Sequence, residues 1–112
     1  MGIPKGRVWI GSVWVPVDQD LSLGHFGEYR SFPAHEIVIG PVRGDMAALT
    51  VIHETIEAIC DIYDLNLKEN HIRCLEHALA GLVMRSPSMV DWVVSELRKS
   101  ENACPISTSF VD

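Results

Sequence analysis

The chain has 112 residues, with fifteen Asp and Glu against nine Lys and Arg, 47% hydrophobic residues and a formal charge of −6. That length points to one domain, the hydrophobic content excludes a disordered chain, and the negative charge argues against a nucleic-acid partner. No apolar stretch approaches the roughly 20 residues that span a bilayer, so no membrane partner is expected either.

Met1 to Lys5 leads straight into an alternating pattern, without the apolar core of an export signal. Cys60, Cys74 and Cys104 are spaced neither as a zinc-binding CxxC pair nor as a disulfide framework, so a reducing, cytoplasmic setting is the simpler reading. Arg7 to Val15 is rich in β-branched and aromatic residues around Gly11-Ser12, which predicts one interrupted strand or a short hairpin. Asp18 to Pro33 contains Gly24, Gly27 and Pro33 and reads as a connector or an irregular strand. Glu36 to Ile39 is the next strand, stopped by Gly40-Pro41. If it lies exposed at a sheet edge, it offers its backbone to an extended peptide.

From Gly44 the period changes. Asp45 is the expected N-cap, and Leu49, Ile52, Ile56, Ile59 and Tyr63 recur at helical spacing up to about Asp64. Asn66 with Glu69 three residues on resembles a capping box, opening a second helix from about Leu67 to Met84. Ser86-Pro87 opens a third, to about Lys99. The expected fold is α+β: a small N-terminal sheet of two to three strands packed on an antiparallel helix pair, plus a third C-terminal helix. Residues 1–100 form the domain and 101–112 a flexible tail.

One constellation carries chemistry. His53-Glu54-Thr55-Ile56-Glu57 is an HExxE segment inside the first helix. Residues 53 and 57 share a face, one turn apart, so imidazole and carboxylate can reach one cation. Glu54 is rotated by about 100° and borders the ion without displacing them. In the related HExxH arrangement that Glu is the general base acting on metal-bound water. A third ligand is needed, and an antiparallel second helix brings Glu76 opposite residues 53–57, in the pattern HExxE-x18-E. His77 is the neighbouring alternative, facing another way round the helix.

The segment Leu49 to Val83, LTVIHETIEAICDIYDLNLKENHIRCLEHALAGLV, resembles the small zincin-like metallopeptidases common in bacteriophage genomes. The preceding GHFGEYRSFPAHEIVIG, residues 24–40, is similar to the turn and strand that lead into the metal helix in such domains. The resemblance implies a minimal zincin-like domain binding one divalent metal ion through His53, Glu57 and Glu76, with Glu54 as catalytic base. It implies a metal-dependent peptidase acting on a protein or peptide substrate in the host cytoplasm.

Glu57 stands where the HExxH pattern has histidine. Two carboxylates and one imidazole make a weaker Lewis acid and loosen the preference for zinc, the default, toward manganese or iron. The alternative is therefore a zincin-like binding or assembly module of a phage without hydrolysis. His77, Tyr63, His71 and Arg73 are the candidates for stabilising an oxyanion. Cys60 reads as core, His25 and His35 as loop histidines that can line the cleft, and the tryptophans Trp9, Trp14 and Trp92 leave homo-oligomerisation open. Residues 53–77 hold six carboxylates against Lys68 and Arg73, a net −4 of the chain's −6, as a carboxylate-rich cation site requires.

Overall fold

In the computed structural model, which describes residues 2–103, the Gly11-Ser12 interruption is a tight turn. Gly11 has φ of +64°, a conformation that L side chains resist, and this lets β1 (Gly6–Ile10) fold back antiparallel on β2 (Val13–Gln19). Val15 and Val17 alternate inward, while Trp14 packs edge-on against Trp9 across the hairpin, ring centroids 5.0 Å apart.

The glycine-containing segment that follows supplies a further strand, β3 (Gly27–Arg30), so the sheet has four strands. Their order is β1-β2-β4-β3, with β4 (Glu36–Ile39) parallel to β2 and antiparallel to β3. The expectation of β4 as an exposed edge is thereby corrected. Ile37, Val38 and Ile39 are all buried, as suits an interior strand, and the edges are β1 and β3, the latter's Glu28 and Arg30 being only partly buried.

Helix α1 (Gly44–Ile62) lies across the sheet. Its sheet-facing stripe is Ala47, Thr50, Glu54 and Ala58, all buried; the small alanines let the helix sit close to Val15, Val17, Ile37 and Ile39. Asp45 is not the N-cap. Arg43 holds that position, and Asp45 sits in the first turn, its carboxylate accepting the Met46 N–H at 2.9 Å, where a negative charge favours the helix dipole. The C-terminus closes with a paired motif: Asp64 N–H donates to the Asp61 carbonyl and Leu65 N–H to the Cys60 carbonyl. Asp64 takes φ of +56° to make it.

Helix α2 (Glu69–Arg85) begins two residues later than the capping-box reading, because 63–68 are spent crossing from one helix to the next. Lys68, not Asn66, is the N-cap, and Glu69 is the first helical residue. Ile72 is buried between α2 and the rest of the molecule. Ser86 alone links α2 to α3 (Pro87–Ala103), which opens at Pro87 as the sequence indicates and continues through 101–103, which the sequence assigned to the tail. Cys104 and the rest of that tail lie outside the described residues. The α+β class, a small sheet packed with three helices, is the one the sequence predicts. Among the described residues no helix is long and apolar enough to cross a membrane.

Candidate metal centre

The site forms where α1 meets α2. His53 and Glu57 project from one face of α1, and Glu69 and Glu76, seven residues apart, project from one face of α2 on either side of Ile72. His53 is largely buried, and its two ring nitrogens have different partners. Nδ1 lies 2.7 Å from Glu76 Oε1. Nε2 lies 3.2 Å from Glu57 Oε2 and 3.2 Å from Glu69 Oε1.

This division decides roles. One donor atom from each of His53, Glu57 and Glu69 fits within 4.8 Å of the others, so these three can hold a metal ion. Bonds of about 2.1 Å in a tetrahedron put donors about 3.4 Å apart, close to the spacings at Nε2. Glu76 occupies the opposite nitrogen; where Nδ1 carries a proton Glu76 accepts it, and Nε2 is then the nitrogen that faces Glu57 and Glu69 and is free to ligate a cation. A carboxylate behind a metal-binding histidine is the usual arrangement for fixing its tautomer and raising its basicity. Glu57 and Glu69 are partly open to water, which leaves room for a further ligand.

Glu54 is the second component. It is only 6% exposed, on the α1 stripe that faces the sheet, and lines the same cleft as His53, Glu69 and Glu76. Burial first, and the neighbouring Glu57 charge second, push its carboxyl up to about 7. His53 is pulled down by burial, the largest single influence. The Glu76 hydrogen bond and the charges of Glu57, Glu54 and Glu69 outweigh it, leaving the imidazole raised above its ordinary value. Without a cation, the cluster is thus a carboxylate cage around a proton-hungry ring.

The edge strand β3 forms the far wall. A Cβ at Gly27 would fall 2.7 Å from Thr50 Cγ2 and 3.3 Å from Glu54 Cγ, so only glycine lets the strand come this near the helix. Further along, Tyr29 donates to Asp61 Oδ2 at 2.9 Å and contacts His35 Nδ1. Burial, then Asp61, push the Tyr29 phenol up to about 12. The cleft between strand and helices has a volume of about 440 Å³, with His25 and Arg73 also on its wall.

The sequence-derived residues therefore separate. His53, Glu54, Glu57 and Glu76 are brought together, Glu76 as the partner of Nδ1 rather than of the Nε2 side. Of the oxyanion candidates Arg73 alone reaches the cleft wall; His77, Tyr63 and His71 do not line it. Of the loop histidines, His25 lines the cleft and pairs with Glu28 at 2.7 Å, whereas His35 is held by Tyr29. Cys60 is outside the cluster. Glu69 is the residue that sequence reasoning missed: it was absorbed into a capping box, although its seven-residue offset from Glu76 already put both on one helix face.

Comparison with known protein families, with curated proteins and with solved structures found no match.

Proposed function

We propose that this chain is a small metal-dependent peptidase of the zincin-like, phage type that its HExxE segment resembles. The observation that carries the reading is the divided use of His53, with Nε2 turned to Glu57 and Glu69 while Glu76 holds Nδ1. A solvated helix face has no reason to align three carboxylates on one largely buried imidazole. A divalent cation held by His53, Glu57 and Glu69 would supply Lewis acidity and make a coordinated water more acidic. Zinc is the default, and the oxygen-rich donor set also suits manganese or iron.

The chain's own residues supply the rest. Glu54, raised to about 7, is suited to take a proton near neutral pH and return it to a leaving amine. The outer side of β3 is unpaired among the described residues and offers Gly27 to Arg30 for strand addition by an extended peptide. Arg73 and His25, on the cleft wall, are the cationic or hydrogen-bonding groups available to a developing oxyanion.

A test follows from the separation of roles. Glu54→Gln should retain the metal and lose cleavage of a peptide library by at least about 100-fold, the usual scale for a general base. His53→Ala should lose both. Retained cleavage in Glu54→Gln rejects the peptidase mechanism. Metal binding with no cleavage by the wild type favours the second reading, a zincin-like binding or assembly module, which Glu57 in place of a histidine makes chemically reasonable.

A further inference from the structure

The edge strand away from the metal cleft is β1. Pro16 has no N–H to give and stands opposite Arg7, so the hairpin's hydrogen bonds run through Gly6, Val8 and Ile10, which face Val17, Val15 and Val13. The N–H and C=O groups of Arg7 and Trp9 therefore point away from β2, and among the described residues they meet no backbone partner. Side chains alternate with them. Val8 and Ile10 face the core, while Arg7 lies on the opposite face of the sheet with its guanidinium 4.2 Å from the centre of the Trp14 ring.

A cavity of about 550 Å³ adjoins this edge, bounded by Gly6 to Val8 of β1 and by Ala47, Ala48, Val51 and Ile52 of α1. That volume is in the range of ligand sites, roughly 300–1,000 Å³. It lies on the other flank of α1 from the metal cleft, with which it shares no residue. No carboxylate lines it, and Arg43 stands on its wall.

Three features together select the occupant. Unpaired backbone groups call for an extended chain, since a helix has no free N–H and C=O row to offer them. The cavity beside them calls for large apolar side chains at every second position. Charge supplies the third. From Gly2 to Val17 the only charged residues are Lys5 and Arg7, a local +2 in a chain of −6. An acidic segment is drawn to that corner, whereas a second copy of β1 would add two more cations to the contact and no acid. We infer that β1 is a docking edge for an extended segment of a partner protein, in which large apolar residues set into the cavity beside α1 alternate with acidic residues on the side of Arg7. This inference does not rest on the proposed peptidase activity.

Fluorescence anisotropy with labelled peptides of about nine residues, alternating Glu with one of Leu, Ile, Met or Phe, tests it on the full chain at physiological salt. At least one Glu peptide is expected to bind with a Kd below about 100 µM, and the matching Lys peptide at least about tenfold more weakly. Binding should slow hydrogen exchange at the Arg7 and Trp9 amides and leave Gly27 to Arg30 unchanged. Arg7→Ala and Arg7→Pro both remove the cation, but only the second removes the N–H, at an edge position where proline is tolerated; it should bind about tenfold more weakly than the first. N-methylation of every second peptide residue should abolish binding in one phase and spare it in the other, which asks the same question should Arg7→Pro fail to fold. Absence of binding by every Glu peptide up to about 1 mM overturns the proposal. So do equal affinity for the Lys series, protection at β3 in place of β1, or indifference to N-methylation in both phases.

Discussion

Glu69 and Glu76 reach opposite nitrogens of one imidazole, and this makes their losses distinguishable. Glu69→Ala removes a proposed ligand and should abolish tight metal binding. Glu76→Ala removes the group that fixes the ring and should weaken affinity by about 10–100-fold while leaving stoichiometry unchanged. Competition with a chromophoric chelator measures both. The same residues set a pH dependence. Glu54 holds its proton up to about 7 in the fold but loses it near 4.5 when unfolded. Between these values the folded state binds the extra proton, so the metal-free protein loses stability as pH rises from about 4.5 to 7 and levels off above. His53, raised in the fold, adds in the same direction: its contribution is complete below about 6.5 and fades as pH climbs through its folded value. Chemical denaturation of metal-free protein should therefore show a decline on the order of 2–3 kcal/mol between pH 5 and 8. Added metal should reverse the trend, because it competes with those protons and binds better as pH rises.

At the scale of elements, β3 and the end of α1 carry the conformational demands that position the cleft. Gly27→Ala forces β3 away from Thr50 and Glu54 and should cost about 1–3 kcal/mol, with a matching loss of cleavage if Glu54 moves. Asp64→Gly acts oppositely. Asp64 sits at φ of +56° in the helix-terminating motif, where glycine is favoured, so thermal unfolding should show a gain of about 0.5–1 kcal/mol. Both helices of the site and the strand before them were legible in periodicity, and HExxE was legible as two donor side chains on one helix face. What periodicity could not show was partnership. Glu36 to Ile39 reads the same whether interior or edge, and only pairing with both β2 and β3 makes it interior. The predicted stripe is borne out at Ile56, which is buried, and at Ile59, which packs on the core, but it missed Ala47, Thr50, Glu54 and Ala58, because small residues and one carboxylate suit a close approach that hydrophobicity alone does not mark. Glu69 was hidden by a local capping pattern that competed with its tertiary role.

For the whole molecule, charge and hydrophobicity are segregated. Most of the formal −6 lies outside α2 and α3, while the sheet and α1 carry the buried core. The cleft lies at the junction, where α1 contributes the HExxE face and α2 the two glutamates that address it. A cation there offsets carboxylate repulsion that the metal-free protein must bear, so metal should stabilise the entire fold and not merely order a loop. The measurement that bears on this most directly is metal content of the untagged chain after reconstitution and exchange into metal-free buffer. The account predicts about one equivalent of a divalent transition metal per chain, lost in His53→Ala. Less than about a tenth of an equivalent in the wild type, under conditions where the protein is folded, would contradict it.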